Sequence, residues 1–148
     1  FYKKYRVKFY NRSMLFPMII KKKNNKLDRI INLNNEQHDW QPQKGYLMGS
    51  DVRKLLSDSY LDTPMCEYML YEGDSLFFFS DGVIEAHSKV DPNKDFGEEQ
   101  IEEILKMNHD YHPQIIVHQL FETVYHFIGN PDQQKDDMTT VLIEFPKE

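Results

Sequence analysis

An apolar run that ends in a carboxylate, Leu76-Phe77-Phe78-Phe79-Ser80-Asp81-Gly82, constrains how the whole chain can fold. Its apolar residues leave no polar face, which is typical of a strand buried on both sides at the centre of a layered fold. An aspartate that ends such a strand and precedes a glycine presents an oxygen ligand on a rigid support. The run therefore predicts a central strand and a candidate cation ligand.

Further strands are predicted on both sides of this run. Tyr5–Tyr10 alternates charged and apolar residues and Met14–Ile20 is largely apolar, so we expect these two segments to pair antiparallel. Leu27–Leu33 follows a Lys/Asn turn and predicts another strand. Cys66–Tyr71 and Ser75–Ser80 predict a hairpin, because a glycine-containing turn separates two β-rich runs.

Two helices and a last strand follow in the sequence. Glu98–Met107 has an apolar stripe and an acidic start, and Pro113–Ile128 begins with proline and is followed by Gly129, a typical helix stop. Met138–Phe145 predicts a strand that returns to the sheet. Antiparallel strands with segregated helices indicate an α+β layered fold, and residues 1–148 fit a single domain.

Composition excludes several classes of partner and site. The 18 basic and 24 acidic residues give a formal net charge of −6, which argues against a nucleic-acid partner. The basic run Lys21–Lys26 is interpreted as a solvated hairpin turn, with an anionic contact surface as the alternative. A lone cysteine, Cys66, permits neither an internal disulfide nor a cysteine-based zinc site and fits a cytoplasmic location. No segment has the roughly 18 consecutive apolar residues of a spanning helix, so no membrane contact is predicted here.

Asp81 is the first candidate metal ligand. A carboxylate beside a dry aromatic strand is costly to bury unless a cation or hydrogen bonds replace its lost hydration. No arginine or lysine lies within five residues of Asp81, so a metal ion is a reasonable partner, and a side chain distant in sequence is the alternative. The missing side chain of Gly82 would let a backbone carbonyl or a ligand approach closely. The alternative is an ordinary Asp-Gly turn.

Asp136 and Asp137 form the second candidate. Repulsion between adjacent ionised carboxylates is relieved when one binds a cation and the other accepts backbone hydrogen bonds. The alternative is a solvated acidic loop in which Asp137 bonds to its own turn. Fifty-five positions and two predicted helices separate Asp81 from Asp136. If both strands lie centrally in one sheet, the two aspartates can meet at a common metal.

The sequence resembles the C-terminal half of the metal-dependent protein phosphatase (PPM) family in three ordered motifs. They are Glu72-Gly73-Asp74-x-Leu76-x-x-x-Ser80-Asp81-Gly82-Val83-x-Glu85-Ala86, then Phe96-Gly97-x-Glu99, then Asp136-Asp137-Met138-Thr139. The similarity is greatest to the bacterial branch represented by the stage II sporulation phosphatase and by phosphatases that regulate anti-sigma-factor antagonists. It extends more weakly to Asn11–Ile20 and Gly45–Gly49.

The resemblance implies an α-β-β-α sandwich with two Mn²⁺ or Mg²⁺ ions and hydrolysis of phosphoserine or phosphothreonine by a metal-activated water. Asp81, Asp136 and the Gly82 backbone would be metal ligands. Ser80, Asp137 and Thr139 would support the loops. The implied partner is a phosphorylated regulatory protein, for example an anti-sigma-factor antagonist.

One family element has no counterpart in this sequence. The family carries an aspartate two residues before a Gly-His-Gly triplet, which is absent from these 148 residues, and Arg12-Ser13 stand where the early hairpin usually has Gly-His. Two expectations remain open. In the first, the parent protein supplies the missing ligand upstream, together with a sensor region. In the second, the domain is catalytically incomplete and acts as a partner-binding or regulatory module.

Overall fold

The computed structural model describes residues 3–10, 15–34 and 65–146. The strands of this part are β1 (Lys4–Tyr10), β2 (Met18–Lys23), β3 (Lys26–Asn32), β4 (Met65–Tyr71), β5 (Ser75–Phe79) and β6 (Thr140–Glu144). The helices are α1 (Asp81–Ile84), α2 (Gly97–Asn108) and α3 (Pro113–Ile128), followed by a 3₁₀ turn at Pro131–Gln133. Arg12, Ser13 and the Gly45–Gly49 segment lie outside the described residues. Across the described ranges, no helix is both long enough and apolar enough to cross a membrane.

Within the described residues, the strands form two antiparallel sheets. The large sheet has the order β3-β2-β5-β6, and the small sheet pairs β1 with β4. Strand β5 lies between β2 and β6, as the apolar run predicted, and Leu76, Phe77 and Phe79 are at most 5% exposed. The predicted α+β layered fold with antiparallel sheets and flanking helices is confirmed.

Side chains of the central strand serve two separate cores. Phe77 and Phe79 pack with the buried faces of α2 and α3 on one side of the large sheet. Leu76 and the half-buried Phe78 pack on the other side, in the core that includes Leu70 of the small sheet. Successive side chains of a strand point to opposite faces, so an entirely apolar β5 supplies both cores. The described layers are therefore helices, large sheet and small sheet.

The predicted helices are observed with small shifts at their ends. Helix α2 buries Ile101, Ile104 and Leu105 as its apolar stripe requires. Helix α3 starts at Pro113 as predicted, and Gly129 follows its last residue with a φ of 86°. A positive φ is readily adopted only by glycine, which explains why α3 stops there.

Strand pairing agrees with the sequence prediction in one case and contradicts it in two. The β2–β3 hairpin turns at Asn24 and Asn25, whose φ values of 52° and 65° suit a tight hairpin turn. The predicted pairing of Tyr5–Tyr10 with Met14–Ile20 is wrong, because β1 pairs with β4. The predicted β4–β5 hairpin is also wrong. Both edges of β5 are occupied by β2 and β6, so the chain crosses from one sheet to the other between β4 and β5.

A buried carboxylate holds this crossing in place. Asp74 is fully buried and accepts hydrogen bonds from the backbone N–H groups of Lys22 (2.9 Å) and Tyr71 (2.8 Å). The Lys21 ammonium bonds to the same carboxylate and lies 4.8 Å from the ring centroid of Tyr71. The backbone also binds the end of β6, with Gly73 N–H to Phe145 O at 2.7 Å and Phe145 N–H to Asp74 O at 3.0 Å. This crossing, residues 71–74, joins the two sheets.

Asp74→Asn should lower the free energy of unfolding by about 3 kcal/mol, because it leaves a half-buried ammonium without its counter-charge and points an amide donor at other donors. Urea unfolding followed by fluorescence measures this change. Asp28→Asn is the matched control, since Asp28 is exposed on β3 at the far edge of the large sheet. Equal unfolding midpoints for Asp74→Asn and the control would contradict this role.

Candidate active site

The first candidate ligand lies where the central strand ends. Ser80 has extended backbone angles (φ −87°, ψ 163°) and leads directly from β5 into α1, whose first residue is Asp81. Asp81 is exposed, and its Oδ1 accepts a hydrogen bond from Gly82 N–H at 3.0 Å. The Asp-Gly pair therefore begins a single helical turn on a buried strand, and the Asp81 carboxylate is held at the surface.

The second candidate lies in the loop that returns from α3 to β6. Asp136 is exposed, and its Oδ1 accepts a hydrogen bond from Asp137 N–H at 2.7 Å. Gln134 Nε2 donates to the Asp136 carbonyl at 2.8 Å. The pattern resembles that of Asp81, because each carboxylate accepts from the backbone N–H of the residue that follows it.

Hydrogen bonds of Ser80 connect the two loops. Ser80 N–H donates to Thr139 O at 2.9 Å, Ser80 Oγ donates to Asp137 O at 3.1 Å, and Thr139 N–H donates to Ser80 Oγ at 3.0 Å. They extend the β5–β6 ladder past its last pair, Phe79 and Thr140. Ser80, Asp137 and Thr139 thus come together, and Asp137 and Thr139 bond to Ser80 through their backbone groups.

Gly82 permits a close approach between the loops. A Cβ added at Gly82 would overlap the carbonyl oxygen of Asp137 and lie 3.0 Å from its carbonyl carbon and 3.4 Å from that of Asp136. Gly82 is buried, and its φ is not in the left-handed region, so the requirement for glycine here is steric. The two segments that carry Asp81 and Asp136 are therefore packed backbone to backbone.

The donor chemistry of these loops fits a hard divalent cation. Carboxylate and carbonyl oxygens are the ligands that Mg²⁺ and Mn²⁺ prefer. Asp81 and Asp136 are exposed, and each is engaged by one local backbone hydrogen bond. In residues 3–10, 15–34 and 65–146, no three His, Cys, Asp or Glu side chains group closely enough to hold an ion. The fit is therefore to part of a ligand set.

A pocket of about 190 Å³ lies beside these loops, and sequence reasoning did not predict it. Gly82 and Asp136 line it, together with Glu85, Ala86 and His87 after α1, Ile128 at the end of α3, and residues 133–135. These residues come from segments distant in sequence that meet only in the fold. No residue type or spacing in the sequence signals the pocket.

Residues 88–95 form a loop next to this pocket, held by its own hydrogen bonds. Ser88 Oγ accepts from Val90 N–H (3.1 Å) and Asp91 N–H (3.3 Å), and Ser88 N–H donates to Lys94 O (2.9 Å). Lys89 N–H donates to Phe127 O of α3 at 2.9 Å. The tip residue Val90 is 83% exposed. The loop is thus fixed at its base, and its tip projects into solvent.

Comparison with known proteins gives a family and a shared fold. The model of the stage II sporulation protein E (SpoIIE) family matches residues 41–146, which include both aspartate loops. No match was found among curated protein sequences.

Solved structures that are similar to the chain include domains of SiaA and SpoIIE. The PP2C domain of SiaA from Pseudomonas aeruginosa has a TM-score of 0.62 at 12% identity, over 95% of this chain and 46% of that one. The Mn-presoaked phosphatase domain of the cell fate determinant SpoIIE from Bacillus subtilis has a TM-score of 0.58 at 18% identity, over 99% of this chain and 57% of that one. The PP2C domain of Bacillus subtilis SpoIIE with a fragment of its regulatory domain has a TM-score of 0.56 at 20% identity, over 95% of this chain and 34% of that one. At these identities the likeness shows the fold alone, and the chain spans 34–57% of the lengths of these solved chains.

Gly82→Ala should lower the free energy of unfolding by about 1–3 kcal/mol, because the added methyl group forces the Asp136–Asp137 backbone away from α1. Thermal and urea unfolding measure the effect. Glu85→Ala, an exposed position just after the same helical turn, should change stability by no more than about 0.5 kcal/mol. An unchanged stability in Gly82→Ala would mean that the two loops are not packed as described.

Proposed function

Because the chain belongs to the SpoIIE family of PP2C-type phosphatases, we propose that it forms the C-terminal portion of a metal-dependent phosphatase domain that acts on phosphoserine or phosphothreonine. Residues 1–148 would belong to one such domain. The family match extends over both aspartate loops, which supports a hydrolytic role for the pair.

One observation carries the proposal more than any other. The loops of Asp81 and Asp136 are 55 positions apart in sequence, yet the backbone of Gly82 packs directly against that of Asp136 and Asp137. A solvated acidic loop and an isolated Asp-Gly turn would not require this contact. The contact instead favours a shared function for the two loops.

The proposed roles follow from the donor groups on these loops. Asp81, Asp136 and the Gly82 carbonyl would supply oxygen ligands to Mn²⁺ or Mg²⁺, of which the complete domain would hold two. Bound divalent cations lower the pKa of water and neutralise charge on phosphoryl oxygens. Ser80 would keep the loops in register through its bonds to Asp137 and Thr139.

The substrate proposed for the whole protein is a phosphorylated regulatory protein, such as an anti-sigma-factor antagonist, in the cytoplasm. Because two carboxylates do not complete a two-ion site, the remaining ligands would come from a part of the protein outside the described residues, such as a segment upstream of this sequence. An upstream sensor region would control the activity. This proposal is consistent with the 34–57% of the solved chains that the sequence spans.

The second candidate function is a catalytically incomplete domain that binds a partner. Both aspartate loops and the glycine contact between them are retained, which favours the enzyme. The two functions differ in one requirement, since the enzyme needs a further carboxylate beside Asp81 and Asp136 and the binding module does not.

We expect Asp81→Asn and Asp136→Asn each to reduce Mn²⁺-dependent hydrolysis of a phosphoaryl ester by the full-length protein at least about 10²-fold, because each removes a charged metal ligand. The measurement is kcat/KM with and without a chelator. Asp28→Asn, exposed on β3, is the control and should retain activity. Unchanged rates in both site variants would refute the assignment of these ligands.

The 148-residue chain alone should bind Mn²⁺ weakly and turn over little substrate, because the two candidate carboxylates in its described part are fewer than the oxygen ligands that a two-ion site requires. Titration followed by electron paramagnetic resonance measures free and bound Mn²⁺. The double variant Asp81→Asn/Asp136→Asn should lose even this weak binding. A tightly held pair of ions in the 148-residue chain would contradict the prediction.

A further inference from the structure

We propose that the pocket beside Asp136 is a subsite for a basic side chain of the substrate, arginine or lysine, close in sequence to the phosphorylated residue. This inference rests on the proposed phosphatase function and assigns a substrate preference to it. The occupant is argued from the size, lining, charge and position of the pocket.

The pocket has the size of one side chain. Its volume of about 190 Å³ is below the roughly 300 Å³ at which small-molecule sites begin, so a cofactor or nucleotide is too large for it. Ala86 and Ile128 contribute buried apolar surface, at 7% and 2% exposure. Glu85, His87 and Gln133 contribute polar groups. A long aliphatic stem with a charged tip matches a lining of this kind.

The charge around the pocket favours a cation. The two segments that bound it, residues 81–95 and 130–137, contain seven acidic and three basic residues. When Asp81 and Asp136 are assigned to the metal ions, five acidic and three basic residues remain in these two segments. A surface of this sign attracts a positively charged group and disfavours a second anionic one.

Glu85 is the group best placed to bind the cationic tip. Glu85 is exposed and lines the pocket, and its carboxylate has no hydrogen bond or ion pair with the described part of the chain. His87 already has a carboxylate beside it, because Asp95 Oδ1 lies 2.9 Å from its Nδ1. The two atoms are not aligned as a hydrogen bond. Lys135, the lysine of the lining, is exposed and can extend into water.

The position of the pocket relates this side chain to the phosphorylated residue. Asp136 and Gly82 belong both to the pocket lining and to the candidate metal loops. A phosphoryl group held at those loops would therefore lie next to the pocket. At a rise of about 3.3 Å per extended residue, the basic side chain belongs within about three positions of the phosphoserine or phosphothreonine.

The test uses the chain at its full natural length with phosphoserine peptides. One series carries a single arginine at each of about three positions on either side of the phosphoserine, and the matched series carries glutamine there. Arginine at one position should raise kcat/KM about tenfold over glutamine, mainly through KM, as expected for one charge-assisted pair. The ratio between the two peptides cancels any change in intrinsic turnover.

Variants of the pocket decide the assignment. Glu85→Gln should reduce the arginine-to-glutamine ratio to about one, and Glu85→Lys should make a glutamate peptide preferred over the arginine peptide. Glu103→Gln, an exposed glutamate on α2 outside the pocket lining, should keep the wild-type ratio. A ratio of one in the wild type, or a preference that survives both Glu85 variants, overturns the subsite.

A second measurement separates this subsite from the proposed function. Hydrolysis of a phosphoaryl ester tests the phosphatase alone, so ester turnover without an arginine preference overturns only the subsite. Fluorescence anisotropy with Mg²⁺ present measures peptide binding without reference to turnover. If no substrate is hydrolysed but the arginine peptide binds more tightly and Glu85→Gln removes the difference, the phosphatase proposal fails, and the result supports the pocket as a site for the basic side chain of a bound phosphopeptide. Equal binding of both peptides with no turnover overturns both.

Discussion

The whole described structure depends on the buried carboxylate of Asp74. The two sheets are built from different strands, so something must hold one against the other. Asp74 does this, because it accepts backbone hydrogen bonds from β2 and β4 and a charged hydrogen bond from Lys21. A buried, unpaired charge is costly, so the arrangement is stable only when all its donors are present. The same crossing binds Phe145 just beyond β6, which fixes that strand as well.

This constraint reaches the candidate active site through the β5–β6 ladder. With β6 held at one end by Gly73 and Asp74, its other end lies opposite Phe79, and the bonds of Ser80 continue the pairing to Asp137 and Thr139. The aspartate loops are therefore set by strand register, which is more rigid than a loop contact alone. Because Gly82 has no side chain, the start of α1 can pack against the Asp136–Asp137 backbone.

Local sequence patterns predicted most of the helices and strands of this fold. They did not predict which strands pair with each other. The all-apolar β5, the stripe of α2 and the stop at Gly129 follow from residue periodicity and backbone preference, and the PPM resemblance found in three motifs agrees with the family match. Which strands pair depends on competition for edges, so β1 and β4 could not be matched from their own sequences. The aspartate loops were named as candidate ligands because their carboxylates flank predicted strands, and that role stays a prediction. The pocket arises where separate segments meet and has no signal in the sequence.

Residues 88–95 form a loop whose tip can change in sequence without a change in the candidate ligands. Its turns are closed by Ser88 and its base is tied to α3 through Lys89, while neither candidate ligand takes part in those bonds. Residues at its solvent-facing tip, such as Val90, can be replaced without shifting Asp81 or Asp136. A lineage of such proteins could therefore vary the sequence of this tip while the backbone that positions both aspartate loops is inherited unchanged.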